Sequence, residues 1–144
     1  EGYIPQPETE NGLQLLQAEK LLLNHPNFQT TVLRFGGLIG ADRHPVKYLA
    51  GKENVANPEA PINLIHLEDC IGIIQKILET ETWGETFIAV APYHPTRAAY
   101  YHKKATAMQL PLPNFAFDKP SVGKLIASEK IQQVLNYTFR KTDF

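Results

Sequence analysis

Hydrophobic positions change their period several times along the chain, and each change predicts an element. Leu13, Leu16, Leu21 and Leu22 recur at helical spacing between Glu8 and Asn24. This predicts a helix that starts near Glu8 to Asn11, capped by Thr9 or Asn11, and that ends in the turn at Pro26. Gln29 to Phe35 is a β-branched and apolar run closed by Gly36-Gly37, the pattern of a strand buried on both faces. Residues 41–61 lose any period apart from a short helix predicted at Val46 to Ala50. So long a connection inside a compact domain is usually functional. Ile62 to Ile65 predicts a second strand, and Ile71, Ile73, Ile74, Ile77 and Leu78 predict a helix opened by Glu68 or Asp69 at its positive end. A third strand is expected at Glu85 to Val90 and a helix capped by Thr96 from there to about Gln109. Lys124 to Ala127 reads as a short strand, and Ser128 as the cap of a last helix ending near Asn136. Helices alternating with strands make the fold class α/β.

Composition narrows the function classes. A chain of 144 residues, 43 % hydrophobic and 20 % charged, suits one globular domain and excludes a disordered or coiled-coil chain. Lys plus Arg number 14 against 15 Asp plus Glu, a net charge of -1, so nothing favours nucleic acid or an anionic membrane as a partner. The apolar runs are short and no basic-then-apolar leader opens the chain, so a cytoplasmic protein is expected. The opening Glu1-Gly2-Tyr3-Ile4-Pro5-Gln6-Pro7-Glu8 reads as an irregular loop rather than the start of a domain, which suggests a fragment of a longer protein.

The candidate chemistry is sparse. Gly36-Gly37-Leu38-Ile39-Gly40 follows a strand, where glycines allow backbone to approach a phosphate or another ligand. Ala41-Asp42-Arg43-His44-Pro45 then leaves little room for the long helix a dinucleotide fingerprint requires. A second reading is that the glycines release the chain from a crowded strand end. The five histidines lie singly, with no pair at i, i+4, and no metal site is expected. No Gly-x-Ser-x-Gly elbow is present, and the single cysteine, Cys70, sits in an apolar helical pattern that points to core packing. Tyr100, Tyr101, Trp83 and Phe87 could stack a base or sugar, or fill a core.

A family resemblance adds direction. Thr31-Val-Leu-Arg34-Phe-Gly-Gly-Leu-Ile-Gly40 resembles the LR-x-x-x-x-YG-P strand and turn of extended (atypical) short-chain dehydrogenases/reductases, the nucleoside-diphosphate-sugar epimerase/dehydratase family. Ile62-Asn-Leu-Ile-His66-Leu-Glu-Asp69 looks like that family's IH-V-DD strand-to-helix junction, and Glu19 matches the acidic residue after its active-site helix. With the Lys124-Leu-Ile and Ser128 to Tyr137 unit, the resemblance covers nearly the whole chain. It implies the C-terminal part of a Rossmann-like NAD(P)-binding fold. Residues 1–40 and 62–90 would end the sheet, 41–61 and 91–144 would form a small substrate-binding subdomain, and the N-terminal nucleotide-binding half would be absent.

The same resemblance implies an NAD(P)-dependent epimerase, dehydratase or reductase relative acting on a nucleotide sugar or similar small molecule. NAD or NADP would be bound by the full-length protein and not by this fragment alone, and homo-oligomerisation is a further expectation. In family register the catalytic Tyr and Lys positions are Asn11 and Leu15, and Tyr3 lies too far upstream to substitute. A carboxamide is no general acid or base near neutrality, and a leucine cannot stabilise a phenolate or hold a ribose. Glu10 or Asp42 would have to take the role, or the protein senses NAD(P) or binds a partner without turnover. By position, Gly36 and Gly37 would approach the nicotinamide, and Arg43 and Asn63 would face the substrate. His66 and Asp69 read as structural, Asp69 capping the helix and His66 bonding nearby backbone.

Overall fold

The structure is a computed structural model that describes residues 5–143, so Tyr3 lies outside the described residues. Helix α1 spans Glu10–Leu23, and Thr9 rather than Asn11 caps it, its hydroxyl accepting from the Gly12 amide at 3.2 Å. Strand β1, Val32–Phe35, is shorter than the apolar run predicts and only half-buried throughout. It was expected to be buried on both faces. The reason lies in α1, which is tied to β1 through Arg34 and Glu19 but buries none of its own side chains.

The glycines that follow make a change of partner rather than a simple turn. Gly36 N–H donates to Ala89 of β4 (Thr86–Ala89), and Gly37 N–H donates to Asn63, just before β3 (Leu64–His66). Beyond this point residues Gly37–Ile39 form a strand, β2, that the sequence pattern did not predict. β1 pairs with β4 and β2 with β3, both in parallel. A Cβ at Gly36 would lie 2.7 Å from the Asn63 carbonyl oxygen, and one at Gly37 would lie 2.6 Å from Leu64 Cδ2. Glycine is needed for two neighbouring strands to be served in succession.

Helix α3, Leu67–Thr80, follows β3 directly. Its cap is His66, whose Nδ1 accepts from the Glu68 amide at 3.2 Å; His66 bonds nearby backbone as expected, but the cap expected of Asp69 is His66's. Both carboxylates still lie in the first turn, near the positive end of the helix dipole. Thr96 caps α4, Arg97–Ala107, as expected. Ser128 precedes α5, Glu129–Leu135, but does not cap it, because its hydroxyl accepts from the Val90 amide at 2.7 Å and so ties α5 to the end of β4. Lys124 to Ala127 is not a strand. The Asn63 side chain takes the place of a neighbouring strand there, donating to Lys124 O and accepting from Ile126 N, each at 2.9 Å.

Two apolar clusters fill the interior. The first joins Ile65, Cys70, Ile73, Ile77 and Phe87 to Ile131, Leu135, Tyr137 and Phe139, so α5 and the chain after it pack on the sheet and α3. The second gathers Ile39, Val46, Leu64, Tyr100, Tyr101 and Phe115 around α4 and α2 (Val46–Leu49). Leu64 and Ile65 enter different clusters, because successive residues of a strand point to opposite faces. The long connection is stapled to the Pro-rich segment by Gly51 N–H to Pro111 O, Asn114 N–H to Lys52 O and Val55 N–H to Asn114 O. Cys70, Phe87, Tyr100 and Tyr101 are core residues, while Trp83 is exposed.

Candidate functional site

Strands β2 and β3 run parallel and end side by side at Ile39 and His66. The chain then turns tightly, Gly40 and Arg43 exchanging main-chain hydrogen bonds at 2.9 and 3.3 Å. A depression of about 220 Å³ opens at this end. It is lined by Ile39, Gly40 and Ala41 after β2, by His44 and Lys104, and by His66, Lys141 and Asp143. Open parallel sheets bind ligands beyond the carboxyl ends of their strands.

His44 is fixed on both nitrogens. Nδ1 accepts from the Val46 amide at 3.2 Å, which places the proton on Nε2, 3.1 Å from the Tyr100 hydroxyl. The two rings also stack at 5.9 Å. Burial, followed by the charges of Lys104 and Lys47, holds this imidazole below its ordinary range. It is therefore neutral at neutral pH. Burial raises the Tyr100 phenol, which stays protonated. Across the pocket, Lys141 Nζ lies 3.5 Å from Glu68 Oε1 and His66 Nδ1 lies 3.9 Å from the same oxygen. Two lysines and a neutral imidazole suit a polar or anionic group, and no serine or cysteine nucleophile lines the pocket.

Of the positions singled out from sequence, the end of the glycine cluster (Ile39, Gly40) and His66 line this pocket, while Asn11, Leu15, Gly36, Gly37, Arg43 and Asn63 do not. Asn11 and Leu15 lie one turn apart on α1 and are exposed, Leu15 at 68 %. Glu19, one turn further, accepts from the Arg34 guanidinium through Nε at 3.0 Å and through Nη2. That hydrogen bond raises the pKa of Arg34 and pins α1 to β1. Glu10 accepts from Gln14, and Asp42 and Arg43 are exposed at the Gly40 turn. The Asn63 amide is engaged at both ends by the 124–126 backbone. Lys104 and Lys141 carried no signal in the sequence, since single lysines on a helix face or near a terminus are ordinary solvated charges.

The glycine cluster after β1 is not followed by the long helix that a dinucleotide fingerprint places behind its glycines. The space a Cβ would take is occupied by Asn63 and Val90 at Gly36 and by Leu64 at Gly37, and the helix after Gly40 is only Val46–Leu49. Among the described residues, no group of three or more His, Cys, Asp or Glu could hold a metal, and no helix is long and apolar enough to cross a membrane.

No family model matches the chain. It is 35 % identical over 138 residues to the protein YeeZ of Escherichia coli K12, covering 95 % of this chain and 50 % of YeeZ. The chain thus spans about half the length of the curated relatives it matches. Among solved structures, a functionally unknown conserved protein from Silicibacter pomeroyi superimposes with a TM-score of 0.83 at 20 % identity, over 99 % of this chain and 55 % of that one. The dTDP-glucose 4,6-dehydratase of Bacillus anthracis, solved in complex with NAD, superimposes with a TM-score of 0.78 at 14 % identity, over 98 % of this chain and 50 % of that one. The fold is the Rossmann-like α/β fold found in NAD-dependent epimerases, dehydratases and short-chain dehydrogenases/reductases.

Proposed function

We propose that the chain is the C-terminal, substrate-side portion of an NAD(P)-dependent epimerase-, dehydratase- or reductase-like protein acting on a sugar nucleotide or a similar small molecule. The observation that carries this reading is the pocket at the carboxyl ends of β2 and β3, with Lys104 and Lys141 at its rim. The likeness in fold to a dehydratase solved with NAD supports it. In this reading NAD or NADP is held largely by residues outside the chain, and Arg43, exposed beside the Gly40 turn, reaches toward the substrate.

Asn11 and Leu15 favour a second reading, a catalytically degenerate NAD(P)-sensing or partner-binding protein. Neither side chain can transfer a proton near neutrality. Titrating NADH and NADPH into the protein as encoded, then adding dTDP-glucose and UDP-glucose, separates the two. Cofactor binding with turnover supports the enzyme, cofactor binding without turnover supports the sensor, and no binding of either cofactor overturns both of these and leaves only partner binding.

A further inference from the structure

We propose that Asp69 is a positioning residue for the pocket: its buried carboxylate latches residues 137–141 and so sets Lys141 and Asp143 as the pocket's outer wall. The use of that wall by a ligand rests on the functional reading above. Asp69 is fully buried in the first turn of α3. The capping task is already taken by His66, so the carboxylate is free for another use. Its three donors come from one short stretch: the Tyr137 hydroxyl at 2.8 Å and the Arg140 amide at 2.8 Å reach Oδ1, and the Lys141 amide at 3.0 Å reaches Oδ2. A buried carboxylate is tolerated only where donors surround it, so the chain after α5 is held where those donors meet Asp69.

The neighbouring residues are shaped for the same contact. Gly72 leaves the slot for the phenol, since a Cβ there would lie 2.5 Å from the Tyr137 oxygen. Tyr137 packs edge to face with Phe139 at 5.7 Å. Asn136, at φ 48°, ends α5 in a left-handed turn that redirects the chain toward α3. Immediately beyond the two latched amides, the Lys141 ammonium reaches Glu68, and Lys141 and Asp143 line the pocket.

The test uses Asp69→Asn, Tyr137→Phe and Lys141→Met in the protein as encoded. Asparagine keeps the shape but presents an NH2 group to a main-chain N–H. Well below the melting temperature, trypsin cleavage after Arg140 and Lys141, followed by mass spectrometry, is expected to accelerate about tenfold in Asp69→Asn. Tyr137→Phe, which removes a single donor and keeps the carboxylate, is expected to accelerate it about threefold. Affinity for dTDP-glucose should fall equally in Asp69→Asn and Lys141→Met, with the double variant no weaker than either. Unchanged cleavage in both latch variants overturns the proposal, as does dTDP-glucose binding equally to the wild type and Asp69→Asn. If Asp69→Asn does not fold, Tyr137→Phe decides by the same two readings. If the wild type binds neither cofactor nor dTDP-glucose, the functional reading falls while cleavage still decides the latch.

Discussion

Helices α1 and α3 are each 14 residues long and each begins at a side-chain cap, yet α3 buries five residues and α1 buries none. In α3, Cys70, Ile73 and Ile77 enter the sheet cluster, each isoleucine contributing on the order of 1.5–3 kcal/mol when removed from water. In α1, Leu13, Leu15, Leu21, Leu22 and Leu23 stay exposed, and its ties to the rest of the fold are polar. Glu19 holds Arg34, and the Thr30 hydroxyl donates to Leu22 O at 2.9 Å. Caps and ion pairs set where a helix starts and which way it lies. Packing decides whether it is a cooperative part of the fold.

The sharpest way to break this comparison is to truncate both helices. Ile73→Ala should destabilise the protein by about 2–5 kcal/mol in urea unfolding, while Leu21→Ala should stay within about 0.5 kcal/mol. Equal costs would mean that α1 is packed after all. Gly72→Ala should cost about 1–3 kcal/mol, because the new methyl displaces Tyr137 from Asp69; a neutral result would show that the slot can widen freely. Thr9→Ala should weaken α1 by about 1 kcal/mol, seen as faster amide exchange in α1 with the global midpoint unmoved. Arg34→Met should loosen α1 by under about 1 kcal/mol and leave exchange in α3 unchanged.

The smallest effect is chemical. Burial, and then the charge of Asp69, raise the Cys70 thiol above its usual value, so less thiolate is present at mildly alkaline pH than for a free cysteine. Labelling of Cys70 by a disulfide reagent should be slow and should follow opening of α3. A cysteine introduced at Leu15 should react at the rate of a free thiol. Rapid labelling of Cys70 would remove the contrast between the helices.

Much of the fold was legible because it is written in local spacing. The apolar period marked α1 and α3, Thr96 marked the start of α4, and Thr9, one of two cap candidates for α1, lies like Thr96 within three residues of the amide it serves. The long connection and the Pro-rich turn at Leu110 to Asn114 were recognisable as irregular, though not the hydrogen bonds that staple one to the other. The pocket was not legible, since its lining comes from four separate stretches of the chain. Asn11, Leu15, Arg43 and Asn63 were reached through resemblance, and none of them lines the pocket.

The sequence by itself determined the α/β class, the order of the main elements and the absence of a charge surplus, because hydrophobic period and capping act over one or two helical turns. Tertiary structure alone decided what the polar side chains do. Asp69, expected to cap its own helix, bonds partners 68, 71 and 72 residues away; Ser128, expected to cap α5, bonds Val90, 38 residues away; and Asn63 holds a segment 61 residues further on. A carboxylate or hydroxyl near a helix start has both a local and a distant donor within reach once the chain is compact. Burial favours whichever arrangement leaves no polar atom unsatisfied, and that balance exists only in the assembled fold.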